Sequence, residues 1–262
     1  MKQLDENSVM KNRNIIHNWG LFFLLLFTLV NSCTKDELNK TTIKIPPADS
    51  SNFSFVEEFT NVSNLRDKGW IFKNNSDPVG TNGWRQGLYE ATPSSKFPVP
   101  VIGFPAYSAS SSPNDFVSCD ASSVNLSGNI STWLISPKLN IKNGDKIIFW
   151  ARALDDRQFA VYTMDRLQVL LDVTGTVPDI GITAFSTGNF SKLLLDINPT
   201  YVENDLGGFP ITWTYYSITV NGLDAPAKDA RIAFRYMGTD AGVNGPNYAS
   251  VVGIDSLAFI SN

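Results

Sequence analysis

The sequence predicts an all-β chain folded as a two-sheet antiparallel β-sandwich, a jelly roll. Three observations carry that prediction. Aromatic residues make up 12% of the 262 residues, and 18 Gly and 14 Pro punctuate the chain, as expected for many short strands joined by turns. β-branched and aromatic runs recur at strand length, with no amphipathic helix of three turns among them. These runs occupy residues 53–262, a length suited to one large domain in which two sheets pack face to face.

Each run has its own signal. Phe53–Phe59 reads as the opening strand, and short strands follow at Gly69–Phe72 and Gly83–Gln86. Asp145–Ala153 follows an Asn-Gly-Asp turn, and Arg166–Asp172 is another apolar run. Thr212–Val220 is dense in β-branched and aromatic residues. In Arg231–Tyr236 the apolar Ile232, Phe234 and Tyr236 alternate with Arg231, Ala233 and Arg235, which predicts a half-buried strand with its arginine face in water. Val251–Ile260 closes the domain. Between Glu90 and Ile130 the pattern fails: five prolines sit among many serines. That stretch reads as a long functional loop, partly packed through Phe97, Phe104 and Tyr107.

Composition excludes several classes. A chain 43% hydrophobic and 18% charged is not intrinsically disordered. A net charge of −4 gives no electrostatic footprint for nucleic acid.

Residues 1–32 read as a signal peptide. Lys11 and Arg13 precede an apolar run of 12 residues, Trp19–Val30, too short for the roughly 20 that a helical span requires. Met1 and Met10 both serve as candidate starts. The string Leu29-Val30-Asn31-Ser32-Cys33 resembles a bacterial lipobox, which implies lipidation of Cys33. The following Thr34-Lys35-Asp36-Glu37 resembles the acidic surface-export signal of Bacteroidetes-type lipoproteins, which implies attachment to the outer membrane with the domain exposed at the cell surface. Residues 33–52 then form a polar tether with a reach of about 25 Å. Removing the leader takes away three basic and two acidic residues and moves the net charge from −4 to −5.

The exported portion lacks the parts for most catalysis. The single histidine, His17, leaves with the leader, so neither Ser-His nor Cys-His mechanisms are open, nor are histidine-bearing metal sites. Cys119 is left as the remaining thiol and reads as a small buried hydrophobe. The adjacent acids Glu57-Glu58 and Asp155-Asp156 point to opposite faces on a strand. A carboxylate-dependent glycoside hydrolase therefore ranks last among the functions considered, and no catalytic residue is nominated.

A family resemblance covers residues 53–262. Phe55-Val56-Glu57-Glu58-Phe59 opens it, followed by Gly69-Trp70, the polar Asn74-Asn75-Ser76-Asp77, and Trp84. Trp133-Leu134-Ile135-Ser136-Pro137, Phe149-Trp150-Ala151-Arg152 and Ile232–Tyr236 come next, before a final Gly253-Ile254-Asp255-Ser256-Leu257. In this order the marks resemble the choice-of-anchor J domain, which is similar to cleaved-adhesin and MAM-like jelly rolls. The resemblance implies a non-catalytic extracellular binding or adhesion module. It also implies structural calcium, with Glu58 and Asp255 matching the family's terminal acids and Asp77 able to join them. Ser256 stands where the family carries a second Asp.

Trp84, Tyr89, Tyr107 and Tyr248 lie in Gly-, Pro- and Ser-rich stretches and are the candidate exposed platforms for a polysaccharide or glycoprotein, plain packing being the other use of such rings. Trp70, Trp133, Trp150 and Trp213 fall in strand patterns and are expected in the core. The competing reading is a structural or protein-interaction subunit of an outer-membrane assembly.

Overall fold

The computed structural model describes residues 54–90, 102–108, 111–155, 157, 162–245 and 249–262. The leader, Cys33, the tether and Tyr248 lie outside the described residues. These residues form fifteen strands in chain order. The first seven are β1 (Phe55–Glu57), β2 (Ile71–Asn74), β3 (Asp77–Val79), β4 (Arg85–Gln86), β5 (Tyr89–Glu90), β6 (Ile102–Gly103) and β7 (Val117–Asp120). The next four are β8 (Val124–Ile135), β9 (Leu139–Ile141), β10 (Lys146–Ala153) and β11 (Arg166–Asp172). β12 (Lys192–Ile197), β13 (Thr214–Thr219), β14 (Ala227–Ala241) and β15 (Val251–Ile260) complete the chain.

Two antiparallel sheets make the sandwich. The first runs β13-β10-β15-β7-β4, with β1 added beside β15; the second runs β12-β11-β14-β8-β2, with β3 beside β8 and β9 beside β14. The first and last strands meet, Phe55 opposite Phe259. Alternating side chains fill the space between the sheets. Leu134, Val169, Ile232, Phe234 and Tyr236 from one sheet join Phe149, Val252, Ile254 and Phe259 from the other in one apolar core. The two-residue period of a strand sends their neighbours outward.

Parts of those outward faces are covered as well. Trp133, Leu170 and Ala233, on the far side of the second sheet, pack under Ile180 and Phe190 of the β11–β12 loop. On the outer face of the first sheet, Phe104, Tyr107 and Phe116 pack with Trp213. Gly253 makes room for this cover, since a Cβ there would lie 2.7 Å from the Phe104 ring.

Two expectations are corrected here. The patternless Glu90–Ile130 stretch is not one long loop, since it contains β7 and half of β8; the packing expected of Phe104 and Tyr107 is present, and with Phe116 they are at most 9% exposed. The arginine face of Arg231–Tyr236 is not in water, because the β11–β12 loop lies over it. Arg235 is 2% exposed, donates to Ser131 Oγ at 3.0 Å, to Gln168 Oε1 and to the Ala184 carbonyl, and lies over the Trp133 ring. Strand β12 carried no sequence signal of its own.

Candidate functional site

Where the edge strands β4 and β2 of the two sheets approach, the surface opens into two adjoining clefts. One encloses about 590 Å³ and the other about 220 Å³, and both are walled by Arg66, Phe72 and Trp84. The larger adds Asn61 and Ser63 from the turn after β1, and Ser111, Ser112, Asn114 and Asp115 from the segment before β7. The smaller runs on to Thr81 and Asn82.

Local chemistry fixes this wall. Asn61 caps the short 3-10 turn Val62–Leu65 by accepting from Asn64 N, and Arg66 follows at its end. Gln86 holds the two sides together: its Nε2 donates to the carbonyls of Phe59 and Asn114 at 2.8 and 2.7 Å, and its Oε1 accepts from Val62 N at 2.8 Å. The Asp115 carboxylate turns inward and accepts from Ser111 N, Ser111 Oγ and Ser112 N at 2.8 to 2.9 Å. Arg85 pairs with Asp120. Arg66 differs from these charged groups. Its side chain is exposed, its guanidinium lies 4.7 Å above the Phe72 ring, and it makes no ion pair or side-chain hydrogen bond among the described residues.

The nominated aromatics divide. Trp84 does line both clefts, but it is 6% exposed and belongs to the core. Its indole N–H donates to the Thr132 carbonyl of β8 at 3.2 Å, so the ring bridges the two sheets. The expectation of a solvent-standing Trp84 is therefore corrected. Tyr107 is corrected in the same way: it lies flat on Trp150, centroids 3.9 Å apart. Tyr89 is half-buried on β5, and its N–H donates to Asn114 Oδ1. Among the strand tryptophans, Trp70, Trp133 and Trp213 are buried as expected, while Trp150 is half-buried beneath Tyr107.

The nominated calcium ligands also divide. Glu58 and Asp255 converge through Ser256, which donates its Oγ to Glu58 at 2.7 Å and its N–H to Asp255 at 2.6 Å. Asp77 stands exposed on β3, beside β8 in the other sheet. The described residues hold no group of three or more Asp, Glu, Cys or His side chains placed to hold a metal, so Asp77 does not join Glu58 and Asp255. Asp255 has a structural role. It is fully buried and accepts from Ser108 N at 2.9 Å, which pins the covering segment onto β15. Burial pushes its carboxyl up to about 7, and the Glu58 charge adds to the rise.

Sequence reasoning missed Arg66, Phe72, Asn61 and the serines of the cleft. Arg66 and Phe72 follow no helical or strand spacing, so their stacking is created by the turn between them. Gly83-Trp84 was the one legible mark.

No family model matches the chain, and no curated protein matches it. Solved structures similar to it include the K1 cleaved adhesin domain of Lys-gingipain from Porphyromonas gingivalis, at 18% identity and a TM-score of 0.46 over 80% of this chain and 99% of that one. The K3 cleaved adhesin domain of the same protein is 18% identical, with a TM-score of 0.46 over 79% and 98%. The carbohydrate-binding module TmCBM61, solved with β-1,4-galactotriose, is 12% identical, with a TM-score of 0.36 over 78% and 99%. The sandwich assignment itself stands on the strand pairing described above.

Proposed function

We propose that this chain is a non-catalytic binding module whose two adjoining clefts take a glycan. It would be held at the cell surface by a lipid on Cys33, in keeping with its resemblance to choice-of-anchor J domains. The observation that carries the reading is the cleft wall: hydroxyl, amide and guanidinium groups around the shared Arg66, Phe72 and Trp84. Such a wall suits a polyhydroxylated ligand better than an apolar one. Asp115 is the single carboxylate among the described lining residues, and it is engaged by backbone and serine donors. Glycoside hydrolysis asks for two carboxyls facing each other across about 5 to 10 Å, so the lining favours capture over cleavage.

The test is a glycan array on the folded 33–262 protein, followed by calorimetric titration of the hits. The expected result is saturable binding that Thr60→Ala and Ser63→Ala, at exposed lining positions that neither cap the turn nor hold Asp115, weaken without changing the melting temperature. A blank array on folded protein would overturn the glycan reading. Mass spectrometry of the protein from the producing cell tests the anchor, with acyl chains expected on Cys33.

One observation favours the protein-interaction reading. Val177, Ile182 and Phe185 of the β11–β12 loop are 84%, 93% and 60% exposed, on a loop tied down by Asn75 and Lys73 donating to its carbonyls. Co-purification with a partner, lost in Ile182→Asp, would support that reading.

A further inference from the structure

Resting on the glycan reading above, we propose that the clefts select a saccharide bearing a carboxylate group, and that Arg66 is the residue that captures it. The argument begins with which faces are open. The Phe72 ring is covered by the Arg66 guanidinium, and Trp84 is buried between the sheets. Neither ring offers a flat face to a sugar, so stacking is not the recognition mode of this wall. Polar contact remains, and among polar groups the unengaged charge is decisive.

Each other charged lining group already has a partner. Arg85 is neutralised by Asp120. Asp115 keeps its charge but is 2% exposed and held by its serines, and it forms no ion pair with Arg66 among the described residues. Lys73, in the smaller cleft, donates to the Pro178 carbonyl at 2.6 Å. That carbonyl orients the ammonium without neutralising it, so Lys73 adds to the positive potential. Among the described charged residues, Arg66 alone belongs to both clefts, is exposed and has no carboxylate partner.

Stacking on Phe72 holds the guanidinium plane in place. No group among the described residues occupies its N–H donors, and a guanidinium fork is the shape that meets a carboxylate in two parallel hydrogen bonds. The portion from residue 33 on carries a net charge of −5, and Arg66 with Lys73 gives an acidic polymer a local point of attraction on it.

The experiment is affinity electrophoresis and calorimetry of the 33–262 protein with polygalacturonate, alginate and hyaluronan. Each polymer is compared with its carboxyl-reduced form, which keeps the backbone and loses the charge. The expected result is binding of at least one acidic polymer, weakened about tenfold or more by carboxyl reduction, and weakened further as salt rises. Arg66→Ala should bring the two forms within about twofold of each other at an unchanged melting temperature. Arg66→Lys should recover only part of the preference. Equal binding of acidic and reduced forms, or a preference intact in Arg66→Ala, would overturn this inference while leaving the glycan reading standing. Failure to bind these polymers, with neutral galactan or mannan bound instead, would do the same. Failure to bind any of them, acidic or neutral, would overturn both.

Discussion

Trp84 shows how one side chain can belong to a cleft and to the core at once. It forms part of the cleft wall, but its indole belongs to the core between the sheets and satisfies a β8 carbonyl. Truncation to Ala should cost about 3–5 kcal/mol by emptying that gap, seen as a lower urea midpoint. Any loss of ligand binding in that variant would reflect the fold, which is why Arg66 is the better probe. Asp255 sets a pH dependence. Its carboxyl rises from 3.8 in an ordinary environment to about 7 when folded, so the folded protein holds that proton more tightly than the unfolded chain does. The resulting stabilisation is fully present below about pH 4 and is lost as pH rises through 7. The buried Asp165 is raised in the same direction. Thermal melts from pH 5 to 8 should therefore show a falling melting temperature. Asp255→Asn should flatten that slope, with Asp165 keeping part of it; an unchanged slope would contradict the assignment.

At the scale of elements, two connecting segments behave as lids on the sandwich. The β11–β12 loop buries Ile180 and Phe190 against Trp133 and is held from below by Arg235. A buried guanidinium with no carboxylate beside it is tolerable because three hydrogen bonds satisfy it and the Trp133 ring faces it. Arg235→Ala removes those ties at once. Hydrogen exchange should then quicken across residues 180–190 while β11 and β14 stay protected. Exchange rising equally in the strands would show that the loop and the sheet open as one unit. The segment before β7 is fastened differently, by an aromatic cluster and by Ser108 on Asp255.

For the whole molecule, the described domain has one inter-sheet core that draws on both sheets, so it should unfold as a unit. Cys119 reports on this directly. It sits on β7 with no exposed surface, and burial pushes its thiol well above the ordinary range. Mass-spectrometric mapping should find Cys119 unlabelled by maleimide in the native protein. Its labelling should track the tryptophan-fluorescence transition in urea. Labelling well before that transition would mean that the β4–β7 side of the sandwich opens on its own.

The all-β class and most strands were legible because a strand's period of two is a local property. Arg166–Asp172 and Val251–Ile260 stand in the structure with the bounds read from sequence. Alternation also placed Ile232, Phe234 and Tyr236 together in the core. What alternation cannot say is whether the opposite face meets water, since that depends on where a distant loop comes to rest. Arg235 is buried by residues 51 positions away. Trp84 and Tyr107 looked exposed because their neighbours are turn-forming residues, yet long-range packing draws both rings inside. The clefts were illegible for the same reason. Their wall joins side chains from the β1–β2 turn, β2, β4 and the segment before β7, and only the meeting of two sheet edges brings these together. The sequence by itself determined which residues can share a face. The tertiary structure decided which faces are covered and which polar groups are left without a partner, because those depend on contacts between residues far apart in the chain.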